Sequence, residues 1–410
     1  MLNLNIFNLG VAKIKPTFCM VLHAYQPPTQ TEYILKRIVK NCYLPVMTGL
    51  LMQSSTKVTL NINGSLSEML SDQYPEVIEK IEDLYKNDQL EFLESAAYHP
   101  ILPLLPPRDR VYQISLNSTI NQEIFGNIYK PIGFFPPELA VSRDVIRQLA
   151  LRGYEYVIVP PLALPMRLHT ELPYFHVQGR KRHGTTHLIP RNHEISNEIA
   201  FRKYQQVSEL FTRLTHLQRS VPMPTICAMD IETFGEHNKG YESFLIELLA
   251  KTESITAKTV LFSSSDYEIF DICSCSWSTS SQDIENRVPY PLWEHPLNSI
   301  HQLVNLHLDL INETSRLLDE EQKGVADEKY QRYNTARILI AKAQHSDTTW
   351  WAGGHGHWSP AMIQRGLALQ KFALETAKKT LNNQEHAKRV EIFLEMSDWI
   401  FSRIKRLTDA

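Results

Sequence analysis

The first two thirds of the chain repeat one pattern: a short apolar run rich in β-branched residues, a polar loop, and a stretch with helical periodicity. Seven or eight such βα units in a row favour a parallel barrel over an open sheet. The sequence therefore predicts an α/β fold built on a parallel barrel. The candidate strands span residues 17–24, 57–62, 90–95, 132–136, 154–160, 186–190, 225–230 and 259–264.

One unit shows why the loops after these strands matter. Ser142 is a suitable N-cap, apolar residues follow it at the spacing of one helix face, and Gly153 stands where that helix should end. Glu138 therefore lies in a loop between a strand and a helix. In a parallel barrel all such loops open on one face, where the active sites of these barrels are built. Asp230, at the end of TICAMD, is predicted to lie on the same face.

The character of the sequence changes near residue 297, where long stretches with 3.6-residue periodicity follow one another and no strand is apparent between them. We predict a catalytic barrel over residues 1–270 and a helical region over residues 297–410 that contributes to the mouth of the site. Residues 271–296, called the connecting segment below, are polar and contain prolines. We expect them to lie over the barrel mouth.

Composition narrows the functional classes. Apolar residues make up 43% of the 410 residues, charged residues make up 21%, and the formal net charge is −3, so the charge balance gives no bias toward nucleic acid or anionic membranes. No window offers the roughly 20 consecutive apolar residues that a membrane span needs. The N-terminus lacks the pattern of a signal peptide, and the five cysteines are scattered. We expect a cytoplasmic protein with reduced thiols that binds neither nucleic acid nor membrane.

Two acidic positions could carry chemistry. Glu138 follows Pro136 and Pro137, whose fixed φ angles stiffen the loop, and it is either a surface carboxylate or a rigidly presented nucleophile. Asp230 and Glu232 alternate at the end of a strand, so only one faces the barrel axis unless the chain turns at once. They form either a solvated acidic turn or part of a catalytic pair. A Glu and an Asp on two strand ends can divide the work of glycoside cleavage.

Other strand ends carry groups suited to sugar hydroxyls. HAYQPP, from residue 23, supplies His23, Tyr25 and Gln26, and LEFLESAAYHP, from residue 90, supplies Glu91 and His99. Each of these side chains is equally compatible with a structural role. SDTTWWAGGHGHW, from residue 346, places two tryptophans before a Gly-rich stretch, and such tryptophans either stack on sugar rings or fill a core.

Five strings in this order resemble glycoside hydrolase family 57: HAYQPP, QLEFLESAAYHPILPLLP, GFFPPELAVS, AMDIETFGEH and AQHSDTTWWA, with RNHEISN as a further similar stretch. The resemblance implies an incomplete (β/α)7 barrel, a distorted TIM barrel, and a retaining enzyme acting on α-glucans without a cofactor or bound metal. It further implies that Glu138 is the nucleophile and Asp230 the general acid/base. The residues expected around the sugar are His23, Tyr25, Gln26, Glu91, His99, Glu232, Asp347, Trp350 and Trp351.

The match has two departures. Tyr25 stands where the family commonly has a second His, and Phe135 stands where a Trp is common before the nucleophile. Both positions shape the subsites, so they bear on substrate preference more than on bond cleavage. An α-amylase-like hydrolase is the simplest assignment, and 4-α-glucanotransferase or branching activity is the alternative on the same site.

Two other classes stay open at this point. His23, His99, Asp230 and His237 could converge on a divalent metal, as in polysaccharide deacetylases and zinc mannosidases. The chain could also be a glucan-binding protein that keeps the fold without turnover.

Overall fold

The computed structural model describes residues 15–165, 174–178, 183–220, 223–261, 268–269, 271–322, 327–354 and 357–409. Ten strands within these ranges form one sheet, and two more form a small ribbon. The strands are β1 Thr17–Ala24, β2 Val58–Ile62, β3 Leu90–Glu94, β4 Gly133–Phe134, β5 Tyr156–Val159, β6 Tyr174–Gln178, β7 His183–Pro190, β8 Thr225–Asp230, β9 Glu253–Ile255, β10 Glu268–Ile269, β11 Ala352–Gly354 and β12 His357–Trp358.

The helices follow the strands through the barrel and then dominate the last third of the chain. They are α1 Glu32–Ile38, α2 Leu44–Met52, α3 Gly64–Gln73, α4 Pro75–Lys86, α5 Pro107–Phe125, α6 Arg143–Arg152, α7 His193–Ala200, α8 Val207–Ser220, α9 Glu242–Lys251, α10 Ala257–Val260, α11 Ser281–Glu285, α12 Ser299–Gln322, α13 Asp327–Ala343, α14 Asp347–Trp350, α15 Pro360–Thr380 and α16 Gln384–Thr408. None of the helices within the described ranges is both long and apolar enough to cross a membrane.

Seven strands run parallel in the order β8-β1-β2-β3-β4-β5-β7, with β6 antiparallel to β7 beyond them. The order follows the chain except that β8 returns beside β1, which wraps the sheet into an incomplete barrel. Side chains on both faces of β1 and β2 are buried, as a parallel sheet covered by helices requires. The predicted α/β fold with a parallel barrel and a helical C-terminal region is therefore confirmed.

Seven of the eight predicted strands are present, and one is wrong. In the predicted strand at 259–264, residues 259 and 260 belong to α10 and residue 261 follows it. The rest of that segment lies outside the described residues. The strand near this place is β9, whose three residues pair with β1. Thr256 follows β9 and is the N-cap of α10. Ala257 and Val260 are both buried, and their spacing of three residues places them on one helix face.

Local sequence signals explain the unit that carries Glu138. The Ser142 hydroxyl accepts a hydrogen bond from the backbone N–H of Val145, and α6 follows. Gly153 ends α6 with φ 88°, a left-handed conformation that glycine adopts without a steric penalty. Val145, Ile146 and Leu149 are buried beneath the sheet. The capping residues fix the length of the helix, and its apolar face fixes its position.

The C-terminal helices α12, α13, α15 and α16 pack around their own apolar core. The β11–β12 ribbon interrupts this helical region, which the periodicity of the sequence did not indicate. A buried ion pair connects the region to the barrel: an Nη of Arg337 on α13 lies 2.6 Å from an Oδ of Asp109 on α5. Arg337 also bonds Asp319 and stacks on Tyr112, so its charge is compensated from three sides.

We expect Asp109→Ala to lower the free energy of unfolding by about 3–5 kcal/mol, because it leaves the buried Arg337 guanidinium without its nearest counter-charge. The loss should fall near the lower end, since Asp319 still neutralises part of the charge. Urea denaturation measures it. The double variant Asp109→Leu with Arg337→Met is the control and should be more stable than the single variant. Equal stabilities for the two would contradict this account of the contact.

Candidate active site

A cavity of about 630 Å³ opens at the carboxyl ends of the barrel strands. Segments that follow β1, β3, β4, β7 and β8 line it, which is the face that parallel barrels use for active sites. Trp277 and Leu292 of the connecting segment and residues of α14 close its sides. The cavity is therefore built jointly by the barrel, the connecting segment and the helical region.

The structure brings ten of the eleven sequence-predicted site residues to this cavity. They are His23, Tyr25, Gln26, His99, Glu138, Asp230, Glu232, Asp347, Trp350 and Trp351.

Glu138 is the middle residue of a 3₁₀ turn over Pro137–Leu139, which follows β4 after Phe135 and Pro136. Its backbone has φ 58° and ψ 17°, and Leu139 also has a positive φ of 47°. A non-glycine residue in this region costs on the order of 1–3 kcal/mol, so the surrounding contacts must hold the turn in place. The side chain is 15% exposed, and one carboxylate oxygen accepts a hydrogen bond from the Trp277 indole at 2.7 Å.

Asp230 is the last residue of β8, opposite His23 in the register with β1. A 3₁₀ turn over Ile231–Thr233 begins immediately after it. Because the chain turns at once, both Asp230 and Glu232 line the cavity instead of pointing to opposite faces. Glu232 is buried and accepts hydrogen bonds from the Tyr43 hydroxyl and from the Gln26 amide at 2.8 Å.

The carboxyl groups of the cavity interact electrostatically. Burial, followed by the charges of Asp230 and Asp347, raises the pKa of Glu138 well above its usual value, and the hydrogen bond from Trp277 opposes the shift. Burial and the charge of Asp230 raise the pKa of Glu232 to about 8. A neighbouring negative charge adds to the effect of burial, because two like charges cannot easily be ionised together in a poorly solvated site.

Three rings form a stack beside Glu138. The Tyr25 ring lies 4.0 Å from the His99 ring, and His99 lies 4.9 Å from His23. Burial lowers the pKa of both histidines, which favours their neutral form. The Nδ1–H of His23 donates to the Asn61 side-chain oxygen at 2.7 Å, which leaves Nε2 as an acceptor.

The helical region adds an acid and two indoles. Asp347 begins α14 and accepts a hydrogen bond from the Tyr25 hydroxyl at 2.5 Å, so this contact joins β1 to the helical region. Trp350 and Trp351 lie at the other end of the helix with their rings 4.7 Å apart, edge to face. His357 of β12 packs against Trp350 at 4.2 Å. These rings give the cavity an apolar wall beside its acidic floor.

Glu91 is the predicted site residue that does not line the cavity. It lies near the start of β3, three residues before the strand ends, which places it about 10 Å below the carboxyl edge of the sheet. The Tyr156 hydroxyl donates to it at 2.6 Å and the backbone N–H of Lys258 at 3.0 Å. Its position corrects the expectation of a sugar contact: the carboxylate binds groups at the bottom of the barrel.

Sequence reasoning missed Trp277, which contacts Glu138 directly. The signal was present, because a tryptophan in the polar run SCSWSTSS is poor core material, by the same argument that singled out Trp350. Arg191 was noted only as part of a similar stretch, and it lies in the cavity wall beneath Trp277. Leu292 and Met362 also line the cavity, and nothing in their sequence context distinguishes them from core residues.

His237 lines the cavity together with His23, His99 and Asp230. Throughout the part of the chain that the structure describes, no three His, Cys, Asp or Glu side chains come together in an arrangement that could hold a metal ion. The carboxylates instead interact with tyrosine, tryptophan and amide donors.

We expect Glu232→Gln to be more stable than the wild type at pH 8, with the difference closing toward pH 4.5. The pKa of Glu232 is raised from 4.5 to about 8 in the fold, so the folded state binds the proton more tightly than the unfolded chain does. Stability is therefore lost as pH rises from about 4.5 to about 8, and the amide removes that loss. Urea denaturation across this range measures it.

Glu79→Gln is the matched control, because Glu79 is exposed on α4. A stability difference for Glu232→Gln that does not change between pH 4.5 and pH 8 would contradict the raised pKa.

The chain matches the family model described as glycosyl hydrolase family 57 over residues 16–267. An alpha-amylase from Pyrococcus horikoshii is 32% identical over 142 residues, which cover 35% of this chain and 22% of that protein. A 4-alpha-glucanotransferase from Thermococcus kodakarensis is 27% identical over the same length, which covers 35% of this chain and 21% of that protein. These alignments span about a fifth of each curated relative.

The solved structures extend the likeness over the whole chain. A GH57-type branching enzyme from Pyrococcus horikoshii superposes with a TM-score of 0.73 at 14% identity, covering 95% of this chain and 96% of that chain. A 4-alpha-glucanotransferase from Thermococcus litoralis superposes with a TM-score of 0.69 at 18% identity, covering 90% of this chain and 60% of that chain. At these identities the likeness concerns the fold, and it confirms the predicted (β/α)7-type barrel. Since the family model covers more than half of the sequence, the chain belongs to glycosyl hydrolase family 57.

Proposed function

We propose that the protein is a retaining, α-amylase-like glycoside hydrolase that cleaves α-glucans, with Glu138 as nucleophile and Asp230 as general acid/base. The observation that carries the proposal is the presence of these two carboxylates in one cavity, at the carboxyl ends of β4 and β8. Glu138 is held in a turn whose flanking residues Pro137 and Leu139 are buried, and Asp230 ends β8; both acids are partly exposed to the cavity. Rigid presentation suits a nucleophile, and access to water suits a group that exchanges protons.

The reaction would proceed in two displacements. A Glu138 oxygen attacks the anomeric carbon as its bond to the glycosidic oxygen breaks, and Asp230 gives its proton to that oxygen. The second step reverses these roles: the Asp230 carboxylate takes a proton from water, the water oxygen attacks the anomeric carbon, and Glu138 leaves as a carboxylate.

An uncharged glucan fits the composition of the cavity. Glu138, Asp230, Glu232 and Asp347 line it, and sugar hydroxyls can hydrogen-bond to carboxyl groups in either protonation state. Trp350 and Trp351 offer apolar faces to sugar rings, and the relatives are named as amylases and glucanotransferases. We assign sugar contacts to His23, Tyr25, Gln26, His99, Glu232, Asp347, Trp350 and Trp351.

We expect the purified protein to convert maltoheptaose to shorter sugars, and EDTA to leave the rate unchanged. Glu138→Gln should lose more than the roughly 10²–10⁴-fold that general acid/base catalysis alone supplies, whereas Glu79→Gln should retain the wild-type rate. Chromatography of the products measures both. Products longer than maltoheptaose would assign a transferase, because a sugar hydroxyl would then replace water in the second step.

Activity abolished by EDTA would overturn the two-carboxylate mechanism in favour of a metal-dependent one. Binding of maltoheptaose without turnover would identify a glucan-binding protein.

Azide separates the roles of the two carboxylates. With α-maltosyl fluoride, Glu138→Ala should regain activity in azide and release the β-azide, because azide enters the space of the missing carboxylate. Asp230→Ala should instead give the α-azide from a glycosyl-enzyme that forms normally with this good leaving group. NMR of the anomeric proton distinguishes the products. The opposite pattern would exchange the two roles.

A further inference from the structure

We propose that Trp277 is a positioning residue that holds the Glu138 carboxylate aimed at the anomeric carbon and stabilises its charge through a hydrogen bond, with Arg191 supporting the indole from behind. This inference rests on the proposed function, because it assigns Glu138 the role of nucleophile. It concerns a residue of the connecting segment, which lies outside all five strings that carry the family resemblance.

Trp277 contacts Glu138 through both its side chain and its main chain. The indole Nε1–H donates to a carboxylate oxygen at 2.7 Å, and the backbone N–H donates to the Glu138 carbonyl oxygen at 3.1 Å. The first bond fixes the direction of the carboxylate and stabilises its charge. The second holds the backbone of a residue whose φ of 58° is otherwise unfavourable.

The connecting segment is itself attached to the Glu138 turn. Val141 and Cys275 exchange two backbone hydrogen bonds, at 2.8 and 3.2 Å, and the Tyr290 hydroxyl donates to the Val141 carbonyl at 2.8 Å. Trp277 is therefore two residues from Cys275, which is bonded to Val141, and Val141 lies two residues after the turn that contains Glu138. Little conformational entropy is left to lose when the indole bonds the carboxylate.

Arg191 increases the donor strength of the indole. Its guanidinium carbon lies 5.3 Å from the centre of the Trp277 ring, and the guanidinium also donates to the Asn197 side-chain oxygen. A cation over an indole face draws electron density from the ring, which makes the N–H a stronger donor. The His23 and Phe135 rings meet the Trp277 ring with interplanar angles of 81° and 75°, so two further rings pack against the indole edge to face.

The remaining neighbours of Glu138 do not favour its ionised form. Asp230 and Asp347 are acids, and a buried, neutral His99 keeps its Nδ1 3.9 Å from the carboxylate. Trp277 is the neighbour whose contact lowers the pKa of Glu138. The titratable and charged groups that face Glu138 or its indole partner from the packed elements are Tyr25, His23, His99, Arg191, Asp230 and Asp347.

Trp277→Phe tests the proposal, because it keeps an aromatic ring and removes the N–H. With α-maltosyl fluoride, kcat should fall about 10- to 100-fold, the effect of one hydrogen bond to a charged group, while KM changes little. The pKa of Glu138 rises when its donor is lost, so the acidic limb of the pH profile should move to higher pH. Trp399→Phe, on the exposed side of α16, is the control and should leave kcat and the limb unchanged.

A rise in KM with an unmoved acidic limb would overturn the proposal, since Trp277 would then be a sugar platform. Arg191→Gln should shift the limb in the same direction as Trp277→Phe but less. In the double variant, Arg191→Gln should add little, because its effect passes through the indole. If Arg191→Gln shifts the acidic limb equally in the wild type and in Trp277→Phe, the charge of Arg191 acts on Glu138 directly.

A measurement independent of turnover separates this inference from the proposed function. NMR of protein labelled with ¹³C at the glutamate carboxyl carbons gives the pKa of Glu138 directly, with Glu138→Gln assigning the signal. A higher pKa in Trp277→Phe supports the contact even if no glucan is cleaved, in which case only the proposed function fails. An unchanged pKa overturns the inference whether or not the enzyme is active.

Discussion

The buried carboxylate of Glu138 is the group on which the arrangement of the cavity depends. Burial and two acidic neighbours disfavour its charge, and its backbone lies in an unfavourable conformation. The two prolines before it and the connecting segment above it compensate by fixing the turn and donating hydrogen bonds. A solvated glutamate at the same loop would need none of these contacts, and this supports the catalytic role that we propose for Glu138.

The helical region does more than cover the barrel. Asp347 and Trp350 are the first and last residues of one short helix and Trp351 is its C-cap, and the Tyr25 hydroxyl donates a hydrogen bond to Asp347. The Thr348 side chain on this helix lies so close to Gly366 of α15 that a Cβ there would come within 2.0 Å of its hydroxyl. Close packing of α14 on α15 therefore places the acid and the indoles, while the Arg337–Asp109 pair fixes the region on the barrel.

Much of the barrel and of the cavity was predictable because parallel strands impose a common edge. Once β4 and β8 were recognised, Glu138 and Asp230 had to lie on the same face. The position of a residue along its strand was harder to predict. Glu91 belongs to β3, whose following loop lines the cavity, but it lies about 10 Å below the carboxyl end of that strand. The division of the chain near residues 270 and 296 and the roles of the site residues stay predictions.

Trp277 shows a second limit of the sequence. Its contact with Glu138 joins residues 139 positions apart, and no local periodicity encodes such a pairing. The strand predicted at 259–264 is wrong in its described part, because a short apolar, β-branched run fits either a strand or a helix, and β9 is the segment that pairs with β1 here.

Covalent trapping of the glycosyl-enzyme would identify the nucleophile. The protein would be incubated with 5-fluoro-α-maltosyl fluoride, whose fluorine slows the second displacement, and then digested for peptide mass mapping. The account predicts one added maltosyl group on the peptide that contains Glu138, and loss of the label in Glu138→Gln. A label on Asp230 or on another residue, or turnover of the reagent with inverted configuration and no adduct, would contradict the account.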